Sequence, residues 1–192
     1  VTGHFIAGEH RPGTSGRTGS VYDPATGRET GTVDLADDAE VDAAVAVAVE
    51  AFAGWRQTSL AQRTKLMHRF RTLLDARADD VAAYITAEHG KTLGDARGEV
   101  ARGLENVDYA CGVAELLKGS FSGGASTGID VVSERRPLGV VVGITPFNFP
   151  AMVPLWTIPN AVACGNTYLL KPSERDASAP TASSSARAFS TT

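Results

Sequence analysis

A chain of 192 residues with 43% hydrophobic residues is globular in composition and long enough to bury one core of its own. A net charge of −4, with acid and base interspersed and no basic cluster, argues against nucleic acid or an anionic membrane surface as partner. No apolar run approaches a membrane span and the first residues lack the regions of a signal peptide; Cys111 and Cys164 have neither a paired nor a metal-site spacing, so a reducing, cytoplasmic setting without a bound metal is expected.

In chain order, short strands are predicted at residues 5–9 and around Val21 and Tyr22, with a turn over Asp-Pro-Ala-Thr-Gly at 23–27. Asp37 can cap a helix, with Glu40 completing a box-like pair, and Val41, Val45, Ala48, Val49 and Phe52 then share one face up to about Gly54. Ser59 with Gln62 repeats the start signal, ahead of an apolar stripe of Leu66, Met67, Phe70, Leu73 and Leu74. A third helix begins at Asp79 or Asp80, carries Val81, Tyr84 and Ile85, and stops at Gly90. His89, beside that stop, reads as a C-terminal contact favoured by the helix dipole rather than as a catalytic group. A long fourth helix is predicted over residues 95–117, with Gly98 and Gly103 marking close packing. On it, Arg102 reads by itself as a solvated charge.

Residues 119–128 form a Gly/Ser-rich loop, and Ile129, Val131, Ser133 and Arg135 then alternate along a strand. The β-branched run over 140–144 reads as a strand buried on both faces, and Thr167 to Leu170 as a second. Between them Pro150 suits a first helical position and Gly165-Asn166 a left-handed stop, so 151–164 is a crossover helix, bent at Pro159. Ligands of such β-α-β units bind beyond the carboxyl ends of the strands. After the first strand come Thr145, Pro146, Phe147 and Asn148, where an amide in a stiff turn could donate to a developing oxyanion; its plainer reading is a turn residue. After the second come Lys171, Ser173 and Glu174. A carboxylate there suits ribose hydroxyls and disfavours a 2′-phosphate, which favours NAD over NADP, while Lys171 and Arg175 pull the other way.

Thr-Pro-Phe-Asn-Phe-Pro, followed by Cys-Gly-Asn-Thr-Tyr-Leu-Leu-Lys-Pro-Ser-Glu-Arg, resembles the aldehyde dehydrogenase superfamily, and within it most the CoA-acylating methylmalonate-semialdehyde branch. The likeness runs back through Arg-Arg-Pro-Leu-Gly at 135–139 to the start and stops at about Asp176. It implies an α/β fold: an N-terminal region of strands and helices (1–118), an oligomerisation hairpin (119–136) and the first β-α-β unit of an incomplete Rossmann-type sheet (137–176). It also implies a homo-oligomer, dimer or tetramer, when full length. In the family a cysteine thiolate attacks the aldehyde, the asparagine amide and a backbone N–H hold the oxyanion, hydride leaves to NAD, and in this branch the thioester passes to coenzyme A. Carried over, Asn148 is the catalytic amide; Thr145, Phe147, Lys171, Glu174 and Arg175 are cofactor residues; and Arg102 holds the substrate carboxylate, a job its forked guanidinium suits.

Residues 177–192 are nearly all Ala, Ser and Thr, without a leucine stripe or strand signal, and read as an atypical tail on a truncated or frame-altered chain, with a low-complexity linker as the alternative. Neither cysteine is a credible nucleophile: Cys164 sits at a helix C-terminus and Cys111 within an apolar helix. The chain alone is therefore expected to be inactive. Two alternatives remain: another NAD-dependent aldehyde dehydrogenase, for instance one acting on succinate semialdehyde, or a non-catalytic piece that binds nucleotide or full-length subunits.

Overall fold

The computed structural model describes residues 2–184. Strands β1 (His4–Ile6) and β2 (Glu9–Arg11) form an antiparallel hairpin, as do β3 (Thr18–Tyr22) and β4 (Glu29–Asp34). The turn predicted at 23–27 closes the second: the Asp23 carboxylate accepts from the Ala25 N–H at 2.8 Å and the Thr26 hydroxyl at 2.9 Å. The single strand expected over 5–9 is broken by a turn at Ala7 and Gly8, so that Glu9 belongs to β2, and β4, rich in polar residues, escaped the sequence reading.

Helix α1 (Asp38–Trp55) starts on the predicted capping box of Asp37 and Glu40. Its apolar face is only partly used. Ala48 is buried, but Val41, Val45 and Val49 remain exposed, because α1 meets the rest of the chain along a narrow line. That line includes Thr167 donating to the Ala48 carbonyl at 2.9 Å and the Trp55 indole donating to Val162 at 3.0 Å. Helix α2 (Leu60–Asp75) begins at the Ser59 cap, and Met67, Phe70 and Leu74 of its stripe are buried.

Helix α3 (Ala78–His89) ends at Gly90, whose φ of 85° needs a residue without a Cβ. Tyr84, expected inside, is exposed. The predicted long fourth helix is two. α4 (Leu93–Cys111) starts two residues earlier than expected on a Thr92 cap and breaks at Gly112, and α5 (Val113–Leu116) follows. Glycine is poor helix material, and its backbone here leaves the helical region.

The core gathers Phe70, Leu74, Val81, Ile85, Val100, Val107 and Leu155. Gly103 is needed for it, since a Cβ there would come within 2.5 Å of Leu155 Cδ1. Gly98, also expected to mark packing, would meet only the Arg102 guanidinium, at 3.8 Å.

Strands β5 (Ser120–Ser126) and β6 (Ile129–Ser133) form an exposed antiparallel hairpin. The first was expected to be loop. Its glycines hid a strand whose pairing comes from the partner strand, with Phe121, Val131 and Val132 all exposed on the pair.

Strand β7 (Val140–Ile144) runs parallel to β8 (Thr167–Lys171), from Val140 opposite Thr167 to Ile144 opposite Lys171, with helix α6 (Met152–Ala163) between them. The expectation of burial on both faces fails along both strands: no residue of β7 or β8 is fully buried, and Val142 is 59% and Ile144 77% exposed. Helices α1 and α6 supply the main cover of this two-stranded pair, and a parallel sheet needs cover on both faces.

Pro159 lies inside α6 and cannot donate to the Leu155 carbonyl four residues back. The Asn106 amide of α4 does so instead, at 2.8 Å, and reaches the Trp156 carbonyl at 3.1 Å. A short helix α7 (Ser178–Ser184) follows, where no helix was expected. Its small residues are what allow it: Ala179 is fully buried in the main core, and the Ser178 N–H donates to Glu88 at 3.1 Å. The rest of the predicted tail lies outside the described residues.

Candidate functional site

The carboxyl ends of β7 and β8 stand side by side, the Thr145 N–H donating to the Lys171 carbonyl at 3.1 Å. The two loops that follow bring together most of the residues singled out from sequence. Thr145 is buried, with a hydroxyl that finds no partner among the described residues. Phe147 is half-exposed. The Arg175 guanidinium lies 4.8 Å from its ring centroid, and the His89 ring stacks on it at 6.3 Å with 27° between planes. Lys171 and Glu174 form an exposed ion pair at 2.9 Å, and the hydrogen bond from Lys171 holds the Glu174 carboxyl below its ordinary range.

His89 sits in the last turn of α3 as expected. Burial first, and the nearby Lys91 second, push its pKa down, which disfavours the charged form that a dipole contact would use, and its ring packs on Phe147.

Asn148 is exposed. Its backbone carbonyl, however, accepts from the Lys91 ammonium at 2.9 Å, and Lys91 also pairs with Glu99 at 2.5 Å. Glu99 has no exposed surface. Its other oxygen accepts from the backbone N–H groups of Ala151 and Met152, at 2.9 and 3.1 Å.

Sequence reasoning missed Lys91 and Glu99. Glu99 falls between Ala96, Val100, Gly103 and Val107 on the buried face of α4, and a carboxylate at that spacing is the signal that could have found it.

Arg102, one turn along α4, is exposed and has no ion-pair partner among the described residues. With Lys91, Asp95, Gly98 and Phe149 it lines a cleft of about 330 Å³ next to the Asn148 turn. A larger hollow of about 570 Å³ along α3, lined also by Ala182, carries no convergent set of reactive groups.

Asp176 was also missed. It is 1% exposed, and neither oxygen makes a well-formed hydrogen bond among the described residues. Burial pushes its pKa up to about 7, against the Ser173 hydroxyl beside it, which favours the ionised form.

The two cysteines are apart from this site and unreactive in character. Burial pushes both thiols up; the nearby Arg63 and Arg135 only partly offset it at Cys164, and Arg71 at Cys111. Cys164 ends α6, a helix of 12 residues, and so lies roughly 18 Å from the Asn148 end. Among the described residues no helix is long and apolar enough to cross a membrane.

At this end of the chain a donor and an acceptor stand side by side after the second parallel strand, an amide follows the first, and the Arg102 guanidinium lines a nearby cleft. The aldehyde dehydrogenase family model matches residues 10–191, beyond the expected limit at Asp176. The chain is 50% identical over 175 residues to the malonate-semialdehyde dehydrogenase of Pseudomonas aeruginosa, covering 91% of this chain and 35% of that protein. It is 44% identical over 171 residues to the acylating, mitochondrial methylmalonate-semialdehyde/malonate-semialdehyde dehydrogenase of Homo sapiens, covering 89% of this chain and 32% of that one. The solved methylmalonate-semialdehyde dehydrogenase of Oceanimonas doudoroffii is 46% identical with a TM-score of 0.96, over 98% of this chain and 39% of its own. A structure with NAD, assigned to the same activity in Sinorhizobium meliloti, is 44% identical with a TM-score of 0.95, over 98% and 39%. The chain thus spans between about a third and two fifths of the length of these relatives.

Proposed function

The chain belongs to the aldehyde dehydrogenase family, and on that premise we propose that it carries the N-terminal part of a site for NAD-dependent, CoA-acylating oxidation of malonate or methylmalonate semialdehyde. The observation that supports this reading most is the convergence of Asn148 with the Lys171–Glu174 pair at the adjacent ends of β7 and β8.

Each group has a task its chemistry suits. Glu174 accepts from the ribose hydroxyls of NAD and Lys171 donates to them, both being exposed and already side by side. Thr145, Phe147 and Arg175 flank the cofactor. When bound, NAD is the acceptor of the hydride from the substrate. The Asn148 amide donates to the oxygen of the aldehyde as negative charge develops on it. Arg102, free of internal ion pairs, takes the substrate carboxylate through two parallel hydrogen bonds.

The attacking thiolate is neither Cys111 nor Cys164, and coenzyme A is the acceptor of the acyl group. The chain alone is therefore without turnover. Titration of NAD into this chain, followed by joining residues 1–176 to the remainder of the Pseudomonas aeruginosa relative, tests the reading. Weak NAD binding without turnover is expected from the chain alone, and CoA-dependent reduction of NAD with malonate semialdehyde from the joined protein. Turnover independent of CoA would instead favour a hydrolytic relative, such as one acting on succinate semialdehyde. A second reading, that the chain associates with full-length subunits, rests on the exposed hairpin of β5 and β6.

A further inference from the structure

Helix α6 begins without a cap of its own. Ala151 occupies the cap position and has no side-chain acceptor, so the first N–H groups of the helix would be orphaned in a buried place. Glu99 of α4, 52 residues earlier, accepts from two of them through one oxygen. Its charge also stands at the positive end of the helix dipole.

The second Glu99 oxygen holds Lys91. The three directions of that ammonium are all used: Glu99 at 2.5 Å, the Asn148 carbonyl at 2.9 Å, and the face of the Phe149 ring with its centroid 4.1 Å away. Lys91 is fixed from behind in turn, since it follows the Gly90 stop of α3. The turn carrying Asn148 is thus pinned on its backbone at both ends, by Lys91 at residue 148 and by Glu99 at residues 151 and 152. The Asn148 side chain is left exposed and without an internal partner among the described residues.

We propose that Glu99 and Lys91 are positioning residues for Asn148. Their ion pair ties the α4 core to the backbone of the Asn148 turn, so that the amide is oriented before any ligand arrives. The functional half of the proposal rests on the reading of Asn148 as the oxyanion donor; the positional half does not. Preorganised donors cost no reorganisation when charge develops, which is why an amide on an otherwise irregular loop needs such fixing. A merely structural salt bridge would stabilise the whole chain and leave the Asn148 turn no more affected than its surroundings.

The test uses this chain, with amide hydrogen exchange and the ¹³C carbonyl shift of Asn148 read by NMR, in the parent and in Lys91→Met, Lys91→Arg and Glu99→Gln. Lys91→Met is expected to speed exchange at residues 147–152 by about tenfold or more. It should shift the Asn148 carbonyl signal and leave the α2 and α3 core amides at their parent rates. Lys91→Arg should restore most of the protection and Glu99→Gln should act in the same region. Should Glu99→Gln or Lys91→Met destabilise the chain as a whole, the double variant Lys91→Met/Glu99→Gln still decides, because it leaves no buried charge unpaired while the Gln oxygen can still accept from the first amides of α6. Unchanged exchange and carbonyl shift in Lys91→Met, or an equal acceleration across all core helices in the double variant, would overturn the proposal. Failure of the NAD and aldehyde experiments would remove the catalytic meaning of Asn148 without altering this outcome.

Discussion

Lys91 and Glu99 meet at 2.5 Å with side chains 16% and 0% exposed, whereas Lys171 and Glu174 meet at 2.9 Å with side chains 57% and 52% exposed. The two pairs have the same chemistry and serve the same end of the β7/β8 unit, but their surroundings assign them opposite work. The buried pair spends its hydrogen bonds on backbone: two N–H groups of α6 and one carbonyl of the Asn148 turn. The exposed pair keeps free valences toward solvent, where ribose hydroxyls could take them. Removing one partner of a buried pair leaves an uncompensated charge, while an exposed pair contributes little to stability.

The comparison breaks most readily at Glu99. Glu99→Leu should lower stability by about 3–5 kcal/mol in urea unfolding, because Lys91 loses its counter-charge and the first amides of α6 lose their acceptor. A loss under about 1 kcal/mol would put the two pairs in the same class. Next in size is Asp176, whose carboxyl is raised from an ordinary 3.8 to about 7 by burial. The folded chain therefore keeps a proton that the unfolded chain has lost between those values, so stability falls as pH rises from about 4 to about 7 and levels off above. Asp176→Asn should remove that slope, gaining on the order of 2 kcal/mol at pH 8 and little at pH 4. An unaltered slope in thermal melts across that range would assign it to other groups.

Gly103→Val should cost about 1–3 kcal/mol, since Leu155 lies where the new side chain must go. Smallest is the effect of Lys171→Met, at most about 1 kcal/mol in the same unfolding experiment. A much larger loss would mean that this pair, like the buried one, is part of the scaffold.

The sequence was informative where local chemistry decides structure. The box at Asp37 and Glu40, the Ser59 cap, the Gly90 stop and the glycine-bounded run at 140–144 each locate an element, and each is found there. The strand ends that carry Thr145, Phe147, Asn148, Lys171, Glu174 and Arg175 followed from the same β-α-β pattern. What was not legible depends on partners distant in the chain. Glu99 looks like one more helix-face charge until α6 is packed against it, and Asn106 gains its meaning only from the donor that Pro159 lacks. The exposed Val142 and Ile144 reverse an expectation drawn from composition, because burial of a strand is set by what covers it rather than by its own residues. Helix α7 formed from an Ala/Ser/Thr run for the same reason: small side chains let Ala179 enter the core.

The central claim is that the ends of β7 and β8 hold a nicotinamide dinucleotide through the exposed pair. Calorimetric titration of NAD into the parent chain and into Glu174→Gln, with equal unfolding midpoints verified for both, tests it most directly. Binding by the parent that weakens about tenfold or more in Glu174→Gln is the predicted result. Equal affinity for NAD in the two proteins, or no binding by the parent, would contradict the account.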